Sequence, residues 1–275
     1  MIPNRHITPR GCEELYPISY LDIPRPDKAE RYLVLHEVYD RHQGNWRIAD
    51  QWSHYKGIIT WNSVIYEEYK NRFNMVFCPQ FMHMAPERTD TYSPLESRPH
   101  AVCCMYGPPA SVDTPIMMAR YDIPLHLHDA GMDVNAYGIT PDRNRPEYRK
   151  RWAEIFRGSV PSHRKRDVIS LHKFSMAFEN SRNPRWASGW VTEKIYDCLG
   201  SGTVPIYWGA PDVTNYIPPE VFIDYREFAN NNELHKYLNK TPMSTFQRMS
   251  EDGLDWFDAV KFDLYLDTYE RLQYV

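Results

Sequence analysis

"HKFSMAFENSRNPRWASGWVTEKIYDCLGSGTVPIYWG", residues 172–209, is the stretch on which the fold turns. Its first part, "HKFSMAFENS" (172–181), is an apolar run that ends in Glu-Asn-Ser, and its last part, "TVPIYWG" (203–209), is apolar again. Between them "TEKIYDCLGSG" (192–202) has helical spacing and stops at glycines. Val191, Ile195, Cys198 and Leu199 recur at i, i+4, i+7 and i+8, which gives a short helix one apolar face to lay on a sheet. The expectation is one complete βαβ unit with two parallel strands.

In open parallel sheets ligands bind in the crevice outside the carboxyl ends of the strands. Glu179, Asn180 and Ser181 stand at such an end. Thr192 is a good N-cap, with Glu193 and Lys194 in the first turn of the helix it opens. Unpaired N–H groups at a helix start favour a phosphate, and Lys194 adds a full positive charge there. A carboxylate such as Glu193 suits sugar hydroxyls, for example those of a ribose. Together these features describe a nucleotide-sugar pocket, although a capping motif with a surface Glu–Lys pair accounts for the same spacing.

The same rhythm extends in both directions. "RYLVLHEVY" (31–39), "KGIITWNS" (56–63) and "NMVFCPQF" (74–81) read as strands, with "VIYEEYKNRF" (64–73) as a short helix. "HMAPERTDTYSPLESRPH" (83–100) is polar and proline-rich and reads as a linker. After it "AVCCMYG" (101–107) and "MDVNAYG" (132–138) read as strands, and residues 113–131 as a helical region broken near Pro124. Residues 143–166 carry seven Arg and two Lys, a solvated loop and helix face or an anion-attracting rim. The tail 256–275 has helical spacing. The implied organisation is an N-terminal Rossmann-like domain over 1–98, a C-terminal one over 99–255, and a closing helix over 256–275.

Composition narrows the function classes. The chain has 275 residues, 42% apolar and 25% charged, with 20 Tyr and a net charge of −4, which gives no reason to expect a nucleic-acid partner. No window reaches the ~18 to 20 uninterrupted apolar residues of a membrane span, so a soluble, cytoplasmic protein is expected, peripheral to a membrane at most. Five scattered cysteines (Cys12, Cys78, Cys103, Cys104, Cys198) read as reduced core thiols, without the grouping of a zinc site.

The run from His172 to Phe228 closely resembles the donor-binding motif of the α1,3/4-fucosyltransferases, glycosyltransferase family 10: a Phe-Glu-Asn-Ser strand end, a Thr-Glu-Lys helix start and a Gly-Thr-Val-Pro strand in this order. The resemblance implies an α/β fold of GT-B type, two Rossmann-like domains facing a central cleft, with GDP-fucose bound by the C-terminal half. It implies that Lys194 holds the diphosphate, Glu193 the ribose, and Asn180 the junction of nucleotide and sugar, with Glu179 and Thr192 in the same donor site. Trp190 stands where the family usually has Tyr, keeping an aromatic wall and losing the phenol hydroxyl. Arg120 is placed on the helix after the first strand of the donor half, facing the β-phosphate; a surface Arg on an amphipathic helix is the alternative. Glu37 is the candidate catalytic base, with Asp40 or His36 as other candidates and a plain surface carboxylate as the bland reading.

The implied reaction is inverting transfer of L-fucose from GDP-β-L-fucose to a hydroxyl of a glycan acceptor, in α1,3 or α1,4 linkage to N-acetylglucosamine or glucose. No cofactor is implied beyond the donor. No Asp-x-Asp occurs in the chain, so no metal is expected to be obligatory. The chain departs from the family in the long loop "RNPRWASGW" (182–190) and in a short N-terminal half, and the expectation is a member without stem or membrane anchor, as in bacterial or viral members. Another GDP-sugar or acceptor, or a non-catalytic glycan- or nucleotide-binding protein, is the alternative.

Overall fold

The structure, a computed structural model, describes residues 32–35, 52–53, 57–77, 93–106, 115–138 and 146–273; side chains are described for these residues except 32–35, 146–147 and 261–273. Two parallel sheets divide it. The smaller consists of β1 (Tyr32–Leu35), β2 (Gly57–Thr60) and β3 (Met75–Phe77) in the order β1-β2-β3. Leu35 pairs with Thr60 and Thr60 with Phe77, so the carboxyl ends of all three strands share one edge. Helix α1 (Ser63–Tyr69) links β2 to β3, and Asn62 caps it by accepting from the Ile65 amide at 2.9 Å. An Asn at this position satisfies one of the orphan N–H groups of the first turn.

The larger sheet holds β4 (His100–Tyr106), β5 (Val134–Gly138), β6 (His172–Phe178), β7 (Val204–Trp208) and β8 (Ile223–Asp224), all parallel, in the order β5-β4-β6-β7-β8. Between β4 and β6 the order reverses, which makes the crevice at their carboxyl ends the expected ligand position. Alternation along the strands sends side chains to two separate cores. Phe174, Met176, Phe178, Val204 and Ile206 pack beneath helix α2 (Pro115–Asp129), α3 (Pro146–Ile155) and α6 (Asn231–Lys240). Ala177 and Tyr207 point the other way, into a core with Ile169 of α4 (Lys165–Ile169), Ile195 and Leu199 of α5 (Glu193–Leu199), and Phe257 of α7 (Met243–Gln273).

Two expectations need correction. Helix α2 is not broken at Pro124 but runs unbroken through it. Proline inside a helix costs roughly 3 kcal/mol, and here Ile116, Met117, Tyr121, Ile123, Leu125 and Leu127 are all buried in one core, whose burial offsets that cost. The closing helix begins at Met243, well before residue 256. Its first half is polar apart from a narrow stripe, Phe246, Leu254 and Phe257, and Gly253 lets it approach Leu199.

The linker expected over 83–100 is partly the edge of the second half. Leu95 is buried in the core of the larger sheet, and the buried Arg98 guanidinium donates to the carbonyls of His172 and Ser201 and to Thr203 Oγ1. The packing of that half thus starts a few residues before residue 99. The basic stretch is likewise of two kinds. Arg151 and Arg164 pair with Asp129 and Asp167 at the surface, whereas Lys165 and Arg166 reach inward and both bond Asp197 at 2.9 Å.

Candidate donor site

The site is built around the tip of β6. The amide of Glu179 donates to the carbonyl of Trp208 at 2.8 Å, so the β6–β7 ladder runs one residue past β6 and fixes which way the next side chains point. Glu179 turns toward α5 and is fully buried; Oε1 accepts from the Thr192 amide at 2.8 Å, and Oε2 from Thr192 Oγ1 at 2.8 Å and Lys194 Nζ at 2.9 Å. Gly209 makes room for this, since a Cβ there would sit 2.3 Å from Glu179 Cγ. Glu179 is therefore a strut beneath the helix start, and it reaches a ligand only through Thr192 and Lys194.

Lys194 Nζ also donates to Thr192 Oγ1 at 2.8 Å. An ammonium has three donors, and two are engaged by these acceptors; among the described residues the third makes no hydrogen bond, its remaining ion-pair neighbour being Glu193. Glu193 lies at ion-pair distance from Lys194 (3.8 Å) and Lys165 (3.9 Å) and is one-third exposed. Burial pushes its carboxyl up, but the two lysines and hydrogen bonds outweigh that and bring it down to about 2. At neutral pH it is an anionic acceptor, and its stabilising pairing is lost only as pH falls through about 2. Burial also raises Glu179, with Lys194 opposing, and there burial prevails.

Helix α5 has only seven residues, so the side-chain charge of Lys194 outweighs any contribution of the helix dipole. Thr192 is its N-cap, as expected. Thr192→Val removes the hydroxyl that bonds Glu179 and Lys194 and is expected to lower the free energy of unfolding by about 1 kcal/mol or more. Urea denaturation of the variant beside Thr192→Ser, which keeps the hydroxyl, measures this, and equal midpoints would contradict the bonding described.

On the other face of β6 stands Arg120. It is buried on α2, lies over the Tyr106 ring with its guanidinium carbon 5.3 Å from the centroid, and donates to the Phe178 carbonyl at 2.6 Å and to Asn180 Oδ1 at 2.9 Å. Its position is not that of a surface arginine. Arg120 and Asn180 are thus brought together, and Lys194, Glu193, Thr192 and Glu179 form a second group, the two joined by the residues 178–180 of one strand end. Trp190 is buried against Trp61, with ring centroids 4.5 Å apart, so its face is covered by a side chain from the smaller sheet's half. Glu37, with His36 and Asp40, lies outside the described residues, as do Cys12 and Cys78.

Sequence reasoning did not single out Lys165 or Trp61. The anion-rim reading of the basic stretch was the one signal for Lys165. Trp61 gave none, because its partner is remote in the chain. Among the described residues no group of three or more His, Cys, Asp or Glu could hold a metal ion, and no helix is long and apolar enough to cross a membrane.

Comparison with known proteins gives this geometry a context. A Helicobacter pylori protein named alpha-(1,3)-fucosyltransferase FucT is 39% identical over 98 residues, 34% of this chain and 20% of that protein. An Arabidopsis thaliana alpha-(1,4)-fucosyltransferase is 39% identical over 73 residues, 26% of this chain and 17% of that protein. The chain thus matches a fifth or less of these relatives' length. The crystal structure of an alpha1,3-fucosyltransferase with GDP is similar in fold, with a TM-score of 0.50 and 19% identity over 81% of this chain and 66% of that one. The architecture is of GT-B type. The family model described as "Glycosyltransferase family 10 (fucosyltransferase) C-term" matches residues 113–260, more than half of the chain, and includes Arg120, Glu179, Asn180, Trp190, Thr192, Glu193 and Lys194. The chain therefore belongs to glycosyltransferase family 10, the fucosyltransferase family.

Proposed function

We propose that the protein is an inverting fucosyltransferase that moves L-fucose from GDP-β-L-fucose to a hydroxyl of a glycan acceptor, in α1,3 or α1,4 linkage to N-acetylglucosamine or glucose. The observation that carries this reading is the pair of cations, Arg120 and Lys194, held by buried acceptors on opposite faces of one strand end in a chain of family 10. A diphosphate bridging that tip meets both. Arg120 is anchored by the Phe178 carbonyl and presents its planar fork beside Asn180, whereas Lys194 keeps one N–H outside hydrogen bonds to the described residues. Glu193, ionised between two lysines, is suited to accept from ribose hydroxyls.

In the reaction the bond between the fucose anomeric carbon and the β-phosphate oxygen breaks as the acceptor oxygen bonds that carbon from the opposite face. Glu37 takes the acceptor proton. Arg120 and Lys194 meet the charge that grows on the departing GDP, already oriented by their hydrogen bonds and so without reorganisation at that moment. Two fixed cations at the diphosphate do the work that a divalent ion does elsewhere, and the proposed reaction has no obligatory metal.

Calorimetric titration with GDP-fucose, GDP-mannose and UDP-galactose in the presence of EDTA tests the reading. Binding of GDP-fucose in preference to the other two is expected. Preference for GDP-mannose would move the assignment to another GDP-sugar, and the absence of any nucleotide-sugar binding would overturn the donor-site reading.

A further inference from the structure

The loop 182–190, expected from sequence to be long for the family, is clamped by the other half of the molecule just ahead of Thr192. Trp61, at the carboxyl edge of the small sheet, stacks tilted on Trp190, and with Ala187 the two form a buried cluster of their own. The buried Asn62, which already caps α1, donates Nδ2 to the Arg185 carbonyl at 2.9 Å. The Arg185 guanidinium pairs with Glu68 of α1 and lies over the Trp186 ring. Gly189 has φ +78°, and a Cβ on it would stand 2.4 Å from the Trp61 carbonyl oxygen, so the two backbones are in direct contact there.

The consequence lies two residues on. The Val191 amide bonds the Gly189 carbonyl, and the next amide, Thr192, is the one Glu179 accepts. Loop, cap and Lys194 therefore form one short mechanical path from Trp61 to the diphosphate cations, with no soft segment between them. Nothing in Thr192 or Glu179 alone fixes where the loop enters. That boundary is held from both sides: within the donor half the Gly189 amide donates to Asp212 Oδ1 at 2.8 Å and Tyr207 Oη to the Trp190 carbonyl at 3.5 Å, and the smaller sheet's half closes it with Trp61.

We propose that Trp61 is a positioning residue for the donor site: through Trp190 and Gly189 it fixes the entry of the chain into Thr192–Lys194, so that the N-terminal half acts on donor affinity without itself touching the nucleotide. The proposal rests on the donor-site reading given above for what is bound, but not for the mechanical link.

The test compares Trp61→Ala, Trp61→Phe and Gly189→Ala with the parent chain by GDP calorimetry and by amide hydrogen exchange over residues 187–196. Trp61→Ala and Gly189→Ala are expected to weaken GDP by about tenfold, the scale on which a small misplacement acts. Exchange at the Thr192 amide is expected to accelerate by about tenfold in both, while β4 and β5 keep their protection. Among the described residues the buried indole N–H of Trp61 makes no hydrogen bond, so Trp61→Phe strands no acceptor there and is expected to restore both readouts.

Unchanged exchange at Thr192 in a folded Trp61→Ala or Gly189→Ala protein overturns the proposal, as does faster exchange spread evenly over the large sheet, which marks general destabilisation. If Trp61→Ala fails to fold, Gly189→Ala, which alters only the loop, decides. A parent chain that binds no GDP sinks the nucleotide reading alone, and exchange then decides the positioning claim by itself.

Discussion

Lys194→Ala is expected to weaken GDP binding by about 10- to 100-fold, the worth of one or two hydrogen bonds between a charged donor and a charged acceptor. Two of the three Nζ donors are held by Glu179 and Thr192, which fixes the ammonium and leaves one N–H outside hydrogen bonds to the described residues, with Glu193 at 3.8 Å. The same substitution strands Glu179, a fully buried carboxylate whose one countercharge within hydrogen-bond reach among the described residues is Lys194. Its carboxyl is already raised by burial, and removing the opposing lysine raises it further. A raised carboxyl stabilises the fold below its ordinary value of 4.5, and this contribution is lost as pH rises through the raised value. The variant is therefore expected to be closest to the parent in stability near pH 4 and to fall behind toward neutrality. Adding Glu179→Gln removes the stranded charge, so the double variant is expected to recover stability at pH 7 but not GDP affinity. Recovery of both would mean that Lys194 serves only the fold, and unchanged GDP affinity in the single variant would remove its phosphate role.

The donor half was legible where the physics is local. Residues 172–209 declare strand, helix and strand because the apolar period changes between them and glycines close the helix, and the structure follows with boundaries shifted by at most three residues. Thr192 as N-cap is also local information, a hydroxyl ahead of an amphipathic run. Pro124 misled because proline's cost is a property of the isolated helix, whereas the burial that overrides it comes from residues brought in by β4, β5 and α3. The start of α7 was hidden for a related reason: a narrow apolar stripe in a polar segment carries little signal until Gly253 is seen against Leu199.

The site itself divides in the same way. That Glu179 would be a buried strut and not an open acceptor does not follow from Glu-Asn-Ser, since one residue of strand phase decides whether a side chain faces α2 or α5. Glu179 and Asn180 fall on opposite faces, and this alternation is what puts the clamped lysine on one side and the arginine on the other. The contacts of Lys165 with Glu193, and of Trp61 with Trp190, join segments far apart in sequence, and no pattern within either segment announces them.

Glu37→Gln is expected to lower kcat by about 10²- to 10⁴-fold, the usual contribution of a positioned base, with GDP-fucose affinity unchanged. The direction follows from inversion. In the proposed inverting transfer the GDP would leave from one face of the anomeric carbon, so the acceptor and its base would approach from the opposite face. Chain order supplies a candidate there. Leu35, the last residue of β1, pairs with Thr60, and Trp61, the next residue, meets the donor half. The carboxyl edge of the small sheet is therefore the one at the seam. Glu37 follows Leu35 by two residues in sequence and lies outside the described residues, so its place at that edge is part of the proposal. Gln keeps the size and hydrogen bonding of Glu but cannot take a proton at neutral pH, so a loss confined to kcat isolates the proton transfer. His36→Gln and Asp40→Asn, measured beside it, separate the neighbouring candidates, and whichever substitution flattens the acidic limb of the kcat/KM profile carries the base. A Glu37→Gln protein that turns over at the parent rate, or that fails to bind GDP-fucose, would remove Glu37 from that role and leave the choice between His36 and Asp40.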